Sequence, residues 1–167
     1  MLKGKNVNLK LKGKVYAACV RSVMIYGSET WAITGEQRER LERTEMKMVR
    51  WMCGVSLRER KTSKELRRMM GIEAIGELVQ RARLRWAGHV LRKENTDGVK
   101  KCMDMEIEGN RGRGRPKLTW GKLLEKDMQS KGLVKEDAGD RIKWRKLSRL
   151  GKDQPPKNRL QGLSRPQ

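Results

Sequence analysis

A chain of 167 residues with 41 Lys and Arg against 20 Asp and Glu carries a net charge of +21, an excess that opposes compaction and draws in polyanions such as nucleic acid or an acidic membrane surface. Apolar residues make up 36% of it, with 10 Met, 5 Trp and no Phe, so a modest core is affordable, but no run of 18 apolar residues offers a membrane span. Cys19, Cys53 and Cys102 stand far apart and odd in number, and His89 is the one histidine; together they exclude a disulfide framework and a zinc knuckle, and no metal or cofactor is expected.

The length fits one domain with ragged ends. Residues 1–12 read as a basic lead-in without the apolar stretch of a secretory signal, so a nuclear or cytoplasmic location is expected, not secretion. The run "KVYAACVRSVMIY" (14–26) is apolar enough for a buried helix that Gly27 would stop, although its Val and Ile residues also permit a strand. Thr34 and Gln37 have capping-box spacing, acidic Glu36 and Glu39 follow, and basic Lys47 and Arg50 come near Gly54. The pattern predicts a helix over 35–53 with Leu41, Met48 and Met52 on its apolar stripe and Met46, Val49 and Trp51 widening it. Thr62 and Glu65 repeat the capping pattern, and Gly71 ends that short helix.

Residues 76–93 place Leu78, Val79, Ala82, Leu84, Trp86, Ala87, Val90 and Leu91 around most of a helical circumference. Arg81, Arg85 and Arg92 share the remaining sector, within about 40° of one another. A mostly buried helix with one narrow basic seam follows. Arg83 falls among the apolar residues and must snorkel, pair or bind something. Residues 94–117 break the period; a short strand at 102–107 is conceivable, in what reads mainly as loop. Helical spacing restarts with Leu123, Leu124 and Met128, and a last helix carries Ile142, Trp144 and Leu147. The residues from 149 onward read as a disordered tail. Trp51, Trp86 and Trp120 recur at near-tetratricopeptide intervals, but the other signature positions of that repeat are missing.

The stretch "GNRGRGRPK" (109–117) is a candidate contact for a polyanion. Alternating Gly and Arg let an extended backbone lie close to a surface, and Pro116 biases Arg115 toward an extended conformation. Arg111, Arg113, Arg115 and Lys117 would touch phosphates along such a ribbon. Arg113, Gly114, Arg115 and Pro116 also match the core of the AT-hook motif, whose guanidinium groups enter a narrow minor groove, although Gly112 replaces the usual preceding proline. A solvated linker without binding remains the third alternative. Arg81, Arg85 and Arg92 form a second candidate surface, with a plain solvated face as its alternative. Six neutralised phosphates would give a log–log salt slope of roughly −5. Catalysis finds no support. Asp97, Asp104, Asp127, Asp137 and Asp140 make no paired motif for two-metal chemistry, Tyr16 and Tyr26 are not followed by aspartates, and no phosphate-cradling loop with a Lys-Ser or Lys-Thr end occurs.

Five segments in fixed order, "YGSETWAIT" (26–34), "EMKMVRWMCGVSLRERKTSKELRRMMGI" (45–72), "RLRWAGHVLRK" (83–93), "RGRGRPKLTW" (111–120) and "DRIKWRKL" (140–147), resemble the C-terminal region of the endonuclease–reverse transcriptase of LINE-type non-LTR retrotransposons, the RTE-like group especially. The resemblance covers residues 12–148. It implies a tail that follows an endonuclease and a polymerase in a parent polyprotein and helps hold template RNA or target DNA. It also implies that the metal-binding aspartates belong to the polymerase and have no counterpart here, so the chain would be a truncated, non-catalytic copy. The expected fold is mainly α: a small irregular helical domain over 13–148, with a basic Arg/Gly loop and disordered ends. The expected partners are RNA or DNA and the missing polymerase domain. Two other classes stay open: an AT-hook-like chromatin accessory protein, and a remnant without function whose Leu41, Met48, Met52, Trp86 and Val90 once packed on that polymerase.

Overall fold

In the computed structural model, which describes residues 7–105 and 118–149, the chain is α-helical, and the described residues contain no strand. Two compact units meet in sequence between Ala82 and Arg83, where a single helical body over 13–148 is expected from sequence.

The first unit begins with α1 (Leu9–Val15), which runs on through a π-helical stretch (Tyr16–Arg21) into α2 (Ser22–Met24). The helix-or-strand ambiguity at 14–26 is thus resolved as helix. It starts earlier than the 1–12 lead-in allows, because Asn8 caps it, its Oδ1 accepting from the Lys10 amide at 2.9 Å. Glycine is required within α1. A Cβ on Gly13 would collide with the Met70 carbonyl oxygen, so α1 crosses the chain at Met70 almost backbone to backbone.

Helix α3 (Gly35–Cys53) matches the sequence expectation because its ends are written locally. The Gln37 amide donates to Thr34 Oγ1 and the Thr34 amide donates to Gln37 Oε1, closing the capping box. Gly54 ends the helix at φ +67°, which only glycine reaches cheaply. Helix α4 (Ser63–Met70) starts on Thr62, whose Oγ1 accepts from the Glu65 amide at 3.2 Å, and stops at Gly71, again at positive φ. Tyr16, Val49, Met52, Val55, Leu66 and Met70 form the core of this unit. Trp51, placed on the apolar stripe by periodicity, is about half exposed. The i, i+3, i+4 period marks a stripe but not its edge, and Trp51 lies just beyond the edge.

A charged cluster is sealed into the same core. Glu45 is fully buried, and its Oε1 accepts from both Nε and Nη2 of buried Arg21. Arg21 Nη2 also donates to the Glu73 carbonyl at 2.6 Å, and Arg67 Nε approaches Glu45 Oε2 at 3.8 Å. The Arg21 guanidinium lies 5.7 Å from the centroid of the Tyr16 ring. Burial, reinforced by the Glu45 charge, pushes the Tyr16 hydroxyl up to about 12. Lys12, also buried, donates through Nζ to the Met52 carbonyl at 3.1 Å, placing a cation on the negative end of α3.

Helix α5 (Ile75–Leu91) is the mostly buried helix expected from its pattern; of its 17 residues only Arg85 and His89 are exposed. In the second unit it is followed by α6 (Gly98–Asp104), α7 (Trp120–Lys131), a 3-10 turn (Lys135–Gly139) and α8 (Arg141–Arg149). The core comprises Leu84, Ala87, Leu124, Met128, Leu133, Ala138 and Trp144. Trp144 Nε1 donates to the Leu84 carbonyl at 2.8 Å, and the indole lies over Gly88, where a Cβ would come within 2.3 Å of Nε1. Helix α6 corrects the strand considered at 102–107 over its described part, residues 106 and 107 lying outside the described residues. Residues 102–104 are helical because Asp97 Oδ1 accepts from the Val99 and Lys100 amides and so starts a turn upstream. Ile142 is exposed, although the apolar pattern groups it with Trp144 and Leu147, which point inward. No described helix is long and apolar enough to cross a membrane.

Candidate nucleic-acid interface

The seven nominated residues fare differently. Arg111, Arg113, Arg115 and Lys117, together with the whole Arg/Gly stretch, lie outside the described residues. The three seam residues occur on or just after α5. Arg81, in the first unit, grips Glu73 as a fork: Nη2 donates to Oε2 at 2.6 Å and Nη1 to Oε1 at 3.3 Å. Arg92, in the second unit, lies one residue past the helix, and its Nη1 donates to the Ala138 carbonyl at 3.1 Å. Arg85 is exposed and carries no ion pair with another described residue. The seam therefore holds one free guanidinium, one half-exposed ion pair and one side chain tied to a loop. A pair as exposed as Arg81–Glu73 is worth only about 0–1 kcal/mol, so a phosphate could compete for that arginine.

Arg83, the misplaced cation on the apolar face of α5, pairs; its Nη1 donates to Asp127 Oδ2 of α7 in the interior of the second unit. The four aspartates with described side chains all have structural work. Asp97 caps α6, Asp127 holds Arg83, Asp137 pairs with Lys143, and Asp140 starts α8 by accepting from the Ile142 and Lys143 amides at 2.9 and 3.0 Å. Among the described residues no group of three His, Cys, Asp or Glu side chains is disposed to hold a metal ion. His89 is exposed, its ring 5.7 Å from that of Trp86. The three cysteines are free, and burial pushes the Cys53 thiol up, away from the reactive thiolate.

A basic surface that the nominated residues do not include lies on α8. Its nine residues, "RIKWRKLSR", hold five cations and no acid. Trp144, Leu147 and Ser148 face the core or its margin, and Lys143 is held by Asp137. Arg141, Arg145, Lys146 and Arg149 remain, all exposed and none in an ion pair with another described residue. Arg141, Arg145 and Arg149 recur every four residues and so fall within about 80° of one another on the helix. The signal was in the sequence as an i, i+4, i+8 run of arginine. Counting Ile142 as apolar core hid it, because that put a buried side in the middle of this face.

No family model matches the chain, and no solved structure matches it. Over 129 residues, 73% of its length, the chain is 28% identical to an uncharacterized transposon-derived protein of Caenorhabditis elegans. It spans 46% of that protein's length, just under half. In sequence, then, this mainly α-helical chain is similar to a transposon-derived protein.

Proposed function

We propose that the chain is a non-catalytic C-terminal portion of a LINE-type retrotransposon reverse transcriptase that binds RNA or DNA through basic surfaces. The observation that carries this reading is the excess of cations left free on the surface. Net charge is +21, and exposed side chains such as Arg85, Arg141, Arg145 and Arg149 have no acidic partner among the described residues. The similarity to a transposon-derived protein supports the retroelement side, and the ordered motifs at 26–34, 45–72, 83–93, 111–120 and 140–147 support the LINE assignment. The non-catalytic part is supported by Asp97, Asp127, Asp137 and Asp140, each of which caps a helix or holds a cation and does not join the others at a metal-binding cluster.

Phosphate contacts do not read base identity. In a mobility-shift assay at low salt, the purified chain is expected to bind 20-base-pair A·T-rich and G·C-rich duplexes with affinities within about threefold, while polymerase assays stay blank. The Arg113-Gly114-Arg115-Pro116 core favours a second reading, an AT-hook-like accessory protein. A strong A·T preference that disappears on changing Arg113 and Arg115 to Ala would establish that reading in place of the first. Turnover of a primed template would overturn both.

A further inference from the structure

We infer that the outer face of α8, formed by Arg141, Arg145, Lys146 and Arg149, is a docking surface for the sugar–phosphate backbone of a nucleic-acid duplex. The inference rests on the nucleic-acid-binding reading and assigns it a place in the fold.

Geometry comes first. Arg141, Arg145 and Arg149 are spaced by four residues, about 6 Å of helix rise each, so the row is about 12 Å long. A duplex presents one negative charge per roughly 1.7 Å of axis with both strands counted, so about seven phosphate charges lie within a length equal to the row, more than its cations can contact. Lys146 widens the row on one side. The face is held in place from behind: Trp144 is buried and bonded to the Leu84 carbonyl, Asp140 fixes the first turn, and Lys143 is tied down by Asp137. The cations are therefore displayed on a docked helix, and little ordering remains for binding to impose on the backbone.

Charge and shape select the partner. An anionic membrane would need a broad apolar face beside the cations, but the large apolar side chains of α8, Trp144 and Leu147, are turned into the unit; Ile142 alone is presented outward. A single strand is held mainly by bases stacked on aromatic rings, and the one aromatic side chain of α8 is Trp144, which is buried. What the face offers is evenly spaced guanidinium groups, which suit the phosphates of a duplex.

The test uses the full chain and a 20-base-pair DNA duplex. Changing Arg141, Arg145, Lys146 and Arg149 together to Gln removes up to four phosphate contacts. The magnitude of the log–log salt slope should then fall by about 3 to 4, and binding at 0.1 M salt should weaken by at least about tenfold. A control changing Lys47, Arg58, Lys64 and Arg68 to Gln removes the same charge from exposed positions of the first unit and is expected to shift the slope by less than about 1. The single change Arg145→Gln, in a side chain that makes no bond within the chain, should lower the slope by about 0.9 and keeps the test valid if the quadruple variant loses helicity. An equal loss in the control, an unchanged slope in both α8 variants, or binding of α8 to anionic vesicles in preference to duplex would each overturn the assignment. Failure of the unaltered chain to bind any duplex would instead strike at the proposed function itself.

Discussion

Replacing Glu45 with Ala is expected to lower the stability of the first unit by about 3–5 kcal/mol, the range for removing one partner of a buried ion pair. Arg21, almost wholly buried, would keep the Glu73 carbonyl and the Tyr16 ring but no anion, and Arg67 would lose its nearest anion. The destabilisation comes from the stranded charge more than from the lost attraction, because desolvation has already consumed much of the Coulombic gain. Two comparisons separate these. Glu45→Gln keeps an acceptor for Arg21 and should cost less than Glu45→Ala. Replacing Arg21 and Glu45 together with Met should cost less than the sum of the two single changes, since neither partner of the buried pair is then left without the other. Urea unfolding followed by circular dichroism measures each. A Glu45→Ala midpoint equal to that of the unaltered chain would show that the cluster is open to water.

This cluster also shows where a sequence stops being readable. Glu45 sits in a helix rich in exposed glutamates, Glu36 and Glu39 among them, and nothing local sets it apart. Its partners lie 24 and 22 residues away, and only the crossing of the helices, made close at Gly13, brings them together. The same holds for Arg83 and Asp127, 44 residues apart: the sequence demands that Arg83 find a partner but does not say which. The helix ends are another matter. At α3 and α4 the Thr caps and terminal glycines act within four residues of themselves, so both elements can be read residue by residue. Helix α6 could not be read, because its seven residues are too few to show a period and its cap, Asp97, also reads as a turn residue before Gly98. Of the candidate interface, the isolation of Arg85 followed from the apolar pattern around it, whereas the engagement of Arg81 and Arg92 depended on tertiary neighbours.

Trp144→Ala is expected to cost the second unit about 3–5 kcal/mol, as large-to-small changes at buried tryptophan do. The indole fills the centre of the core, donates to the Leu84 carbonyl, and occupies the space left open by the absent side chain at Gly88. Its loss would unseat α8, which has little else to hold it: Leu147 is partly buried and the remaining contacts are polar. Gly88→Ala should act in the same direction by a different route, because its Cβ must displace the ring, at about 1–3 kcal/mol. Both variants should therefore lower the thermal midpoint, and both should weaken duplex binding where α8 carries it. A Trp144→Ala chain that melts unchanged would contradict the packing described here.

The central claim is that free surface cations, carried on two helical units, hold a polyanion by releasing its counterions. Its most direct test is the affinity of the purified full chain for a 20-base-pair duplex, measured by fluorescence anisotropy from 50 to 300 mM salt. A straight log–log plot with a slope of roughly −5 or steeper is expected. A flat plot, or no binding at the lowest salt, would contradict it.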